Sequence, residues 1–233
     1  MTILGYAGQL LRVDLTAGEI SCQPLDEATC RRYVGGTGLG AKLLYEEVPP
    51  GVAWDDPENR LCLASGPLGA SRLGGSGTFS VVTKGPMTEG ATATQANGFL
   101  GAFLRLSGFD GIVVQGAGEG WRYLYVHNGT AELRDAEHLC GKDTWETEDA
   151  IRAELGYSER QMSVFSIGPA GENRVRFAAL VGDRGHVAAH NGVGAVLGAK
   201  RLKAIAVARG RRSIPFHNPQ ALSQLSKQML EGL

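Results

Sequence analysis

Two short glycine-rich stretches carry the residues whose types and spacing could bind an anionic ligand. The first is ATQANGFLG, residues 93–101, in which Gln95, Asn97 and Gly98 open a predicted helix. Free amide groups at a helix N-terminus suit a phosphate group. Lys84, just after a predicted strand, could add a positive charge. A solvated Lys84 and an Asn97 that only caps the helix explain these residues equally well.

The second stretch is GHVAAHNGVGAVLGAK, residues 185–200, which is small and nearly uncharged. Its glycines lie where a loop meets a helix, so an amide-rich backbone is predicted here too. His186 and His190 are four residues apart and would share one face of a helix. They lack a third nearby ligand and the intervening glutamate of a zinc protease motif. Structural histidines are therefore favoured over a metal site.

No residue in the sequence is predicted to act as a catalytic acid, base or nucleophile. The chain has no GxSxG motif, and its four cysteines are widely separated and form no CxxC pair. The glycine cluster VGGTGLGAK, residues 34–42, follows a helix-like segment rather than a strand. This context predicts a helix–helix corner and does not support a dinucleotide-binding unit.

Composition limits the class of protein and its partners. The 233 residues carry a net charge of -1, which argues against nucleic acid as a partner. No apolar run approaches 18 residues and no secretory signal is visible, so we expect a cytoplasmic, soluble chain without a membrane partner. Its 34 glycines are roughly twice the usual share, which indicates close backbone approaches rather than a flexible linker.

The elements that must position these stretches are short strands mixed irregularly with helices. Hairpins are predicted at GQLLRVDLTAGEISCQPL and around Asn128-Gly129. LCLAS, TFSVVT, GIVVQG, MSVFSIG, RVRFAALVG and LKAIAVA are predicted strands. Helices are predicted after Asp26, over LGAKLLYEEV, over ANGFLGAFLRL and after Asp143, which forms a capping box with Glu146. The irregular order predicts an α+β fold with mixed β-sheets and short helices.

Two regions are predicted along the chain. Residues 1–212 form one domain, and residues 213–233 are a linker followed by a helix that begins at Asn218 and Pro219. We expect this helix to be the first element of a C-terminal region that the sequence does not contain.

Taken in order, several blocks of the sequence resemble one protein family. The blocks are RVDLTAGEI, YVGGTGLGAKLL, PENRLCLASGPL, SVVTKGPMT, GFDGIVVQG, RDAEHLCGK, SIGPAGEN and NGVGAVLGAKRLKAIAV. Over roughly residues 5 to 210 the chain is similar to the N-terminal domain of tungsten-containing aldehyde ferredoxin oxidoreductases. The resemblance implies a base on which a tungsten bis-pyranopterin cofactor lies, with a magnesium ion bridging its two phosphates.

The same resemblance implies which residues contact this cofactor. Backbone carbonyls of Gln95 or Asn97, and of Val187, would bind the magnesium ion. The full set of predicted cofactor-binding residues is Thr78, Lys84, Gln95, Ala96, Asn97, Gly98, His186, Val187, Ala188, His190, Asn191 and Gly192. Relatives usually carry arginine at the positions of Thr78, His186 and His190, and arginine and histidine are not interchangeable at a phosphate.

The resemblance also implies partners and an activity for the complete enzyme. That enzyme oxidises an aldehyde with water to a carboxylic acid and passes electrons through a four-iron–four-sulfur cluster to ferredoxin. The cluster would lie on C-terminal helical domains or on a separate subunit, and a homo-oligomer is compatible with this assignment. We expect the 233-residue chain alone to be inactive. The alternatives are a non-catalytic scaffold or assembly subunit that has lost the cofactor and, more weakly, a phosphate- or nucleotide-binding module.

Overall fold

The computed structural model describes residues 3–232 and contains two six-stranded mixed sheets. The first sheet consists of β1 (Gln9–Asp14), β2 (Glu19–Pro24), β3 (Leu61–Ser65), β4 (Phe79–Lys84), β5 (Ala91–Ala96) and β6 (Gly111–Gln115). The second consists of β7 (Arg122–His127), β8 (Thr130–Asp135), β9 (Met162–Ser166), β10 (Leu180–Gly182), β11 (His186–Ala188) and β12 (Leu202–Ala208). The strand orders are β2-β1-β6-β3-β4-β5 and β11-β10-β9-β12-β7-β8.

Helices connect the strands and cover the sheets. They are α1 (Glu27–Tyr33), α2 (Gly36–Glu47), α3 (Leu100–Leu106), α4 (Thr144–Leu155), α5 (Pro169–Glu172), α6 (Val193–Ala199) and α7 (Pro219–Glu231). Two 3₁₀ turns span Glu137–Leu139 and His190–Gly192. The predicted α+β class is confirmed.

The inner faces of the two sheets pack against each other to form the main core. Alternation along β3 directs Leu61 and Leu63 into this core, while Cys62 faces the opposite side, toward α2. Phe79 and Phe165 join the sheets through an edge-to-face contact with centroids 4.9 Å apart. The outer face of the second sheet packs against α4 in the same way. The result is a layered arrangement in which the central strands of each sheet are buried on both faces, whereas the edge strands β2 and β8 contain no buried residue.

The two sheets have the same topology, so the chain contains a structural duplication. Reading the second sheet from β8 gives the order β8-β7-β12-β9-β10-β11, which matches β2-β1-β6-β3-β4-β5 strand for strand. In each sheet one pair is parallel, β1 with β6 and β7 with β12, and the other pairs are antiparallel. Each half carries an Asn-Gly turn followed by a short helix, α3 or α6, before its last strand.

Local signals in the sequence are confirmed where a single side chain fixes the backbone. The Asp26 carboxylate accepts from Thr29 N at the start of α1, and Asp143 and Glu146 form the predicted capping box of α4. Asn218 caps α7, with Pro219 as its first residue. Both predicted hairpins are present, and Asn128 and Gly129 have positive φ angles of 46° and 84°.

Three sequence predictions are wrong. Gln95 and Asn97 do not open a helix, because Gln95 belongs to β5 and α3 starts only at Leu100. Only the end of RVRFAALVG, Leu180–Gly182, is a strand. His186 lies in β11 and His190 in a 3₁₀ turn, so the two do not share a helical face. Pairing of β5 with β4 and of β11 with β10 overrides the local pattern at Gln95 and His186.

Lys200 is buried without a carboxylate partner in the part of the chain that the structure describes. Its side chain is fully enclosed, and its ammonium donates to the carbonyl oxygens of Pro57 at 3.3 Å and Gly116 at 3.1 Å. Desolvation lowers the pKa of Lys200 from 10.5 to about 8. The unfolded chain therefore binds more protons between these two pH values, so stability rises with pH across that interval.

We expect Lys200→Met to remove this rise. From pH 8 to pH 10.5, the wild-type free energy of unfolding should increase by roughly 3 kcal/mol relative to the variant. Urea denaturation at a series of pH values measures the difference, with Lys227→Met on exposed α7 as the control. Parallel pH profiles for wild type and Lys200→Met would contradict the prediction.

Candidate functional site

A cavity of about 650 Å³ lies where α2 and β4 begin and where β3 and β5 end. Glycine is the most common residue in its lining, and none of the lining side chains carries a charge. The residues are Tyr33, Val34, Gly35, Gly36, Thr37, Gly38, Ala64, Gly66, Pro67, Leu68, Gly69, Leu73, Gly74, Gly75, Ser76, Thr78, Phe79, Ser80 and Gln95. Ligand binding here would therefore depend on backbone amides, hydroxyl groups and apolar contact.

A second cavity of about 470 Å³ continues the first past Thr78. The two share Leu73, Gly75, Ser76 and Thr78, and the second adds Gly77, Asn97, Gly98, Phe99, Ala102 and His186. Together they form one groove, which runs from the N-terminus of α2 to the His186 ring. We refer to both cavities together as the groove.

The first turn of α2 offers unpaired amide groups to the groove. Gly35 precedes the helix and supplies no side-chain cap, while the amides of Gly38 and Leu39 donate to the Gly35 carbonyl. Within residues 3–232, the amides of Gly36 and Thr37 donate to no protein acceptor. A helix start with free amides favours an anionic group.

The turn formed by residues 97–99 gathers several of the predicted site residues. The Thr78 hydroxyl donates to Asn97 Oδ1 at 2.7 Å. The Phe99 amide donates to Asp183 Oδ2, also at 2.7 Å. A Cβ on Gly98 would lie 2.7 Å from Asp183 Oδ2 and 3.2 Å from the His186 ring, so only glycine allows this approach. The structure thus brings Thr78, Asn97, Gly98 and His186 together.

The other predicted residues of this half are divided between the groove and the core. Gln95 lines the groove, whereas Ala96 is buried in the main core. Lys84 lies at the far end of β4, and its ammonium donates to the Val52 carbonyl, outside the groove lining. The structure therefore puts Gln95, but not Lys84, beside the groove.

The corresponding residues of the second half pack against the first sheet. The His190 amide donates to Thr94 Oγ1 at 3.2 Å, and Asn191 Nδ2 donates to Thr88 Oγ1 at 2.9 Å. Val187 is half exposed, Ala188 is buried in the core and Gly192 is buried against the chain at residue 176. None of these five residues lines the groove, although His186 beside them does.

The sequence analysis missed two parts of the site. One is the wall made by residues 66–76 and the start of α2, whose only signal in the sequence is glycine density. The other is Asp183, which is only 3% exposed and is held by four hydrogen-bonding groups. Desolvation raises the pKa of its carboxyl group. A carboxylate in a Gly-Asp-Arg-Gly turn gives no sequence signal that distinguishes this role from a solvated turn.

Two glycines of the groove, Gly35 and Gly66, differ in whether the fold requires glycine at their position. Gly35 has a φ angle of +152°, and a Cβ there would lie 2.6 Å from the Ser65 carbonyl oxygen. A Cβ on Gly66 would meet no atom within 4 Å, and its φ is not positive. The fold itself therefore requires glycine at 35 but not at 66, where a side chain would enter open groove space.

We expect alanine substitutions to separate these two cases. Gly35→Ala should lower the free energy of unfolding by about 1–3 kcal/mol, through backbone strain and the clash with Ser65. Gly66→Ala should change it by less than about 0.5 kcal/mol. Chemical denaturation of both variants measures this, and equal losses for the two would contradict it.

The described residues contain neither a cluster of metal-binding side chains nor a helix that could span a membrane. No three His, Cys, Asp or Glu side chains within residues 3–232 are grouped so that they could hold a metal ion. No helix in that range is long and apolar enough to cross a membrane.

Comparison with known proteins identifies relatives over nearly the whole chain. The family model described as aldehyde ferredoxin oxidoreductase, N-terminal domain, matches residues 10–209. The tungsten-containing aldehyde ferredoxin oxidoreductases of Pyrococcus furiosus and Thermococcus kodakarensis are 40% and 39% identical, each over 98% of this chain. The chain spans about 37% of the length of each of these relatives.

Two further proteins that are similar to this chain are named for other substrates. An aliphatic sulfonate oxidoreductase, WOR-like subunit, of Pyrococcus furiosus is 35% identical over 90% of this chain and 35% of its own length. The solved active-site complex BamBC of benzoyl coenzyme A reductase with 1,5-dienoyl-CoA matches with a TM-score of 0.93 and 37% identity. That match covers 98% of this chain and 34% of the other.

Proposed function

Because this chain belongs to the aldehyde ferredoxin oxidoreductase family through its N-terminal domain, we propose that the groove binds a tungsten bis-pyranopterin cofactor. The family is that of tungsten-containing enzymes, and a tungsten pterin is the cofactor that membership implies. Magnesium between the two phosphates and a four-iron–four-sulfur cluster elsewhere in the complete enzyme are further parts of this proposal.

The observation that carries the proposal is a groove wall built from bare backbone. Gly66 leaves open space where a side chain would fit, and nothing in the chain's own packing requires that space. The amides of Gly36 and Thr37 face no protein acceptor in the described chain. Planar pterin rings need such flat, unobstructed walls, and their polar edges need hydrogen-bond donors such as these amides. The residues present therefore fit the cofactor in shape and in hydrogen-bonding capacity.

Charge is supplied differently from the usual pattern. Among residues 3–232, no lysine or arginine side chain lines the groove, and His186 is the one histidine that does. The phosphate charge would instead be met by amide groups and by the bridging magnesium ion. For that ion we propose the backbone carbonyls of Val187 and of Gln95 or Asn97 as ligands.

Each chain residue then has a binding or orienting role. Thr78 fixes the Asn97 side chain and, with Gly98 and His186, borders the phosphate end of the groove. The turn at residues 190–192 would serve the second phosphate from the other half. When bound, the tungsten centre supplies the redox chemistry, and no residue of this chain is proposed as an acid or base.

The relatives support assigning cofactor binding, rather than substrate choice, to this region. The names of these proteins refer to aldehydes, aliphatic sulfonates and benzoyl coenzyme A, yet all three match this chain at 35–40% identity. A region shared by proteins with such different substrates fits a common cofactor role. For the complete enzyme we propose aldehyde oxidation with ferredoxin as acceptor, with helical domains or a subunit beyond this chain supplying the substrate contacts.

The cofactor content of the protein tests the proposal. Protein expressed anaerobically in a tungstate-supplied, pterin-producing host is purified and analysed for tungsten, phosphorus and oxidised pterin. We expect bound metallopterin in the wild type and clearly less in Gly66→Val, whose side chain enters the groove. Ala53→Val, at an exposed position, is the control for added volume. Folded wild-type protein that is free of pterin would overturn the proposal and favour a scaffold role.

A further inference from the structure

The Asp183 carboxylate is the polar group through which the second half of the chain holds a groove turn of the first half. It lies in the turn between β10 and β11, with φ angles of 47° at Asp183 and 63° at Arg184. Its side chain is 3% exposed and points away from its own turn toward residues 98 and 99. Three residues later the chain reaches His186, which borders the same groove.

Both carboxylate oxygens of Asp183 are fixed by donors. Oδ2 accepts from the Phe99 amide at 2.7 Å and from Ser163 Oγ at 2.8 Å. Oδ1 accepts from the Val164 amide at 3.3 Å and from the Arg152 guanidinium at 3.5 Å. Arg152 is itself paired with the buried Glu148 at 3.0 Å. The carboxylate is therefore rigidly held before any ligand arrives.

Helix α3 takes part of its N-terminal hydrogen bonding from this distant carboxylate, and the Gly77 carbonyl accepts from the Gly101 amide in its first turn. Phe99, the residue before the helix, offers no side-chain cap of its own. Asp183 accepts from its amide instead, and a negative charge at this end of a helix is favourable. The close approach is possible only because residue 98 is glycine. The conformation of residues 97–99 is thus set by a residue 84 positions later in sequence.

The duplication produces a reciprocal contact on the other side. The turn after β4, in the first half, meets the Asn-Gly turn of the second half, where Asn191 Nδ2 donates to Thr88 Oγ1 at 2.9 Å. Each half thus braces the Asn-Gly turn of the other. The two braces are chemically unequal, since one is a buried carboxylate and the other a hydroxyl group on the exposed residue Thr88.

We propose that Asp183 is a positioning residue that sets the phosphate-binding conformation of residues 97–99 and couples it to the His186 loop. The proposal rests on the proposed function for its link to the cofactor, but the bracing itself does not. Every group facing the carboxylate is a donor, so an asparagine amide would set its Nδ2 against an N–H or O–H donor. Asn is therefore a shape-conserving test of the charge and of the acceptor pattern.

Amide hydrogen exchange in the metal-free chain tests the bracing. In Asp183→Asn, the Phe99 amide should exchange at least about 10-fold faster than in wild type, since a hydrogen bond to a charged group is lost. Ser163→Ala removes another donor to the same oxygen and should leave the Phe99 rate within about threefold of wild type. Thr88→Val should affect residues 190–192 and spare Phe99. A wild-type rate at Phe99 in Asp183→Asn, or an equal acceleration in Ser163→Ala, overturns the proposal.

Cofactor content then tests the coupling. In protein from a tungstate-supplied host, Asp183→Asn should hold less than about half the wild-type pterin, while Ser163→Ala should hold nearly all of it. Equal pterin in wild type and Asp183→Asn overturns the coupling. A pterin-free wild type refutes the proposed function instead, and the exchange measurement still decides whether Asp183 braces the turn. The two failures are therefore distinguishable.

Discussion

Replacing Asp110 with alanine is expected to lower the free energy of unfolding by about 3–5 kcal/mol, because it leaves a buried guanidinium without its counter-charge. Asp110 and Arg105 form an ion pair at 2.8 Å, and their side chains are 1% and 0% exposed. Asp110 also accepts from the amides of Ala7 at 2.9 Å and Gly8 at 2.7 Å. The Asp110 carboxylate therefore satisfies three donors, and all three lose this acceptor in the alanine variant.

The same pair supports the wall of the groove. The Arg105 guanidinium donates to the Gly66 carbonyl at 2.9 Å and to the Gly5 carbonyl. In the Asp110 variant we expect the unpaired Arg105 guanidinium to move toward water. This movement would break its hydrogen bond to the Gly66 carbonyl. The variant should then show faster amide exchange in residues 66–69 along with its lower stability.

Denaturant unfolding measures the stability loss. Arg31→Ala is the matched control, since its pair with Glu27 is exposed and should contribute no more than about 1 kcal/mol. If Asp110→Ala does not fold, Asp110→Asn keeps the shape and should still be destabilised, by a smaller amount. A loss below about 1 kcal/mol in Asp110→Ala would show that water or rearrangement replaces the pair.

Replacing His186 with arginine is expected to slow cofactor release by about 10-fold or more, which is the largest effect on binding that we predict. His186 borders the groove next to Gly98. A guanidinium forms two charge-assisted hydrogen bonds to phosphate and is always charged, whereas an imidazole ring cannot offer this planar pair of donors. One such interaction is worth about 1.5–3 kcal/mol.

Loss of pterin from anaerobic, metal-loaded protein after dilution measures the release rate. His186→Lys adds a point charge without the planar donor pair and should give a smaller gain. His217→Arg adds the same guanidinium at an exposed position outside the groove lining and should leave the rate unchanged. An identical effect of His186→Arg and His217→Arg would reduce the result to net charge and argue against a phosphate next to residue 186.

Much of the fold could be predicted because its signals are local. Asp26, Asp143 and Asn218 cap helices through hydrogen bonds that span only three residues, and Asn128-Gly129 fixes a two-residue hairpin. Strands β5 and β11 were missed because ATATQA and HVA are short and only weakly apolar. Their strand conformation comes from pairing with β4 and β10. Both pairings are local hairpins, and the turns between their strands lack the Asn-Gly signal found at residues 128–129.

The structural duplication could not be recognised as a repeat in the sequence. The two Asn-Gly turns begin NGFLGAFL and NGVGAVL, and the first contains one extra residue, so no fixed period is maintained. Family resemblance pointed to the two Asn-Gly loops, and the residue pattern added Lys84, whose side chain does not line the groove. Asp183 could not be found from sequence, because its partners at residues 99, 152 and 163 come together only after both sheets have formed.

We propose that the groove between the start of α2 and His186 holds a tungsten pterin. Anomalous X-ray diffraction at the tungsten absorption edge, from crystals of protein purified from a tungstate-supplied host, tests it most directly. We expect a tungsten peak over the groove, with density for pterin rings along the Gly66 wall and density for phosphate at residues 97–99. Tungsten bound elsewhere, or an empty groove in protein that contains the cofactor, would contradict it.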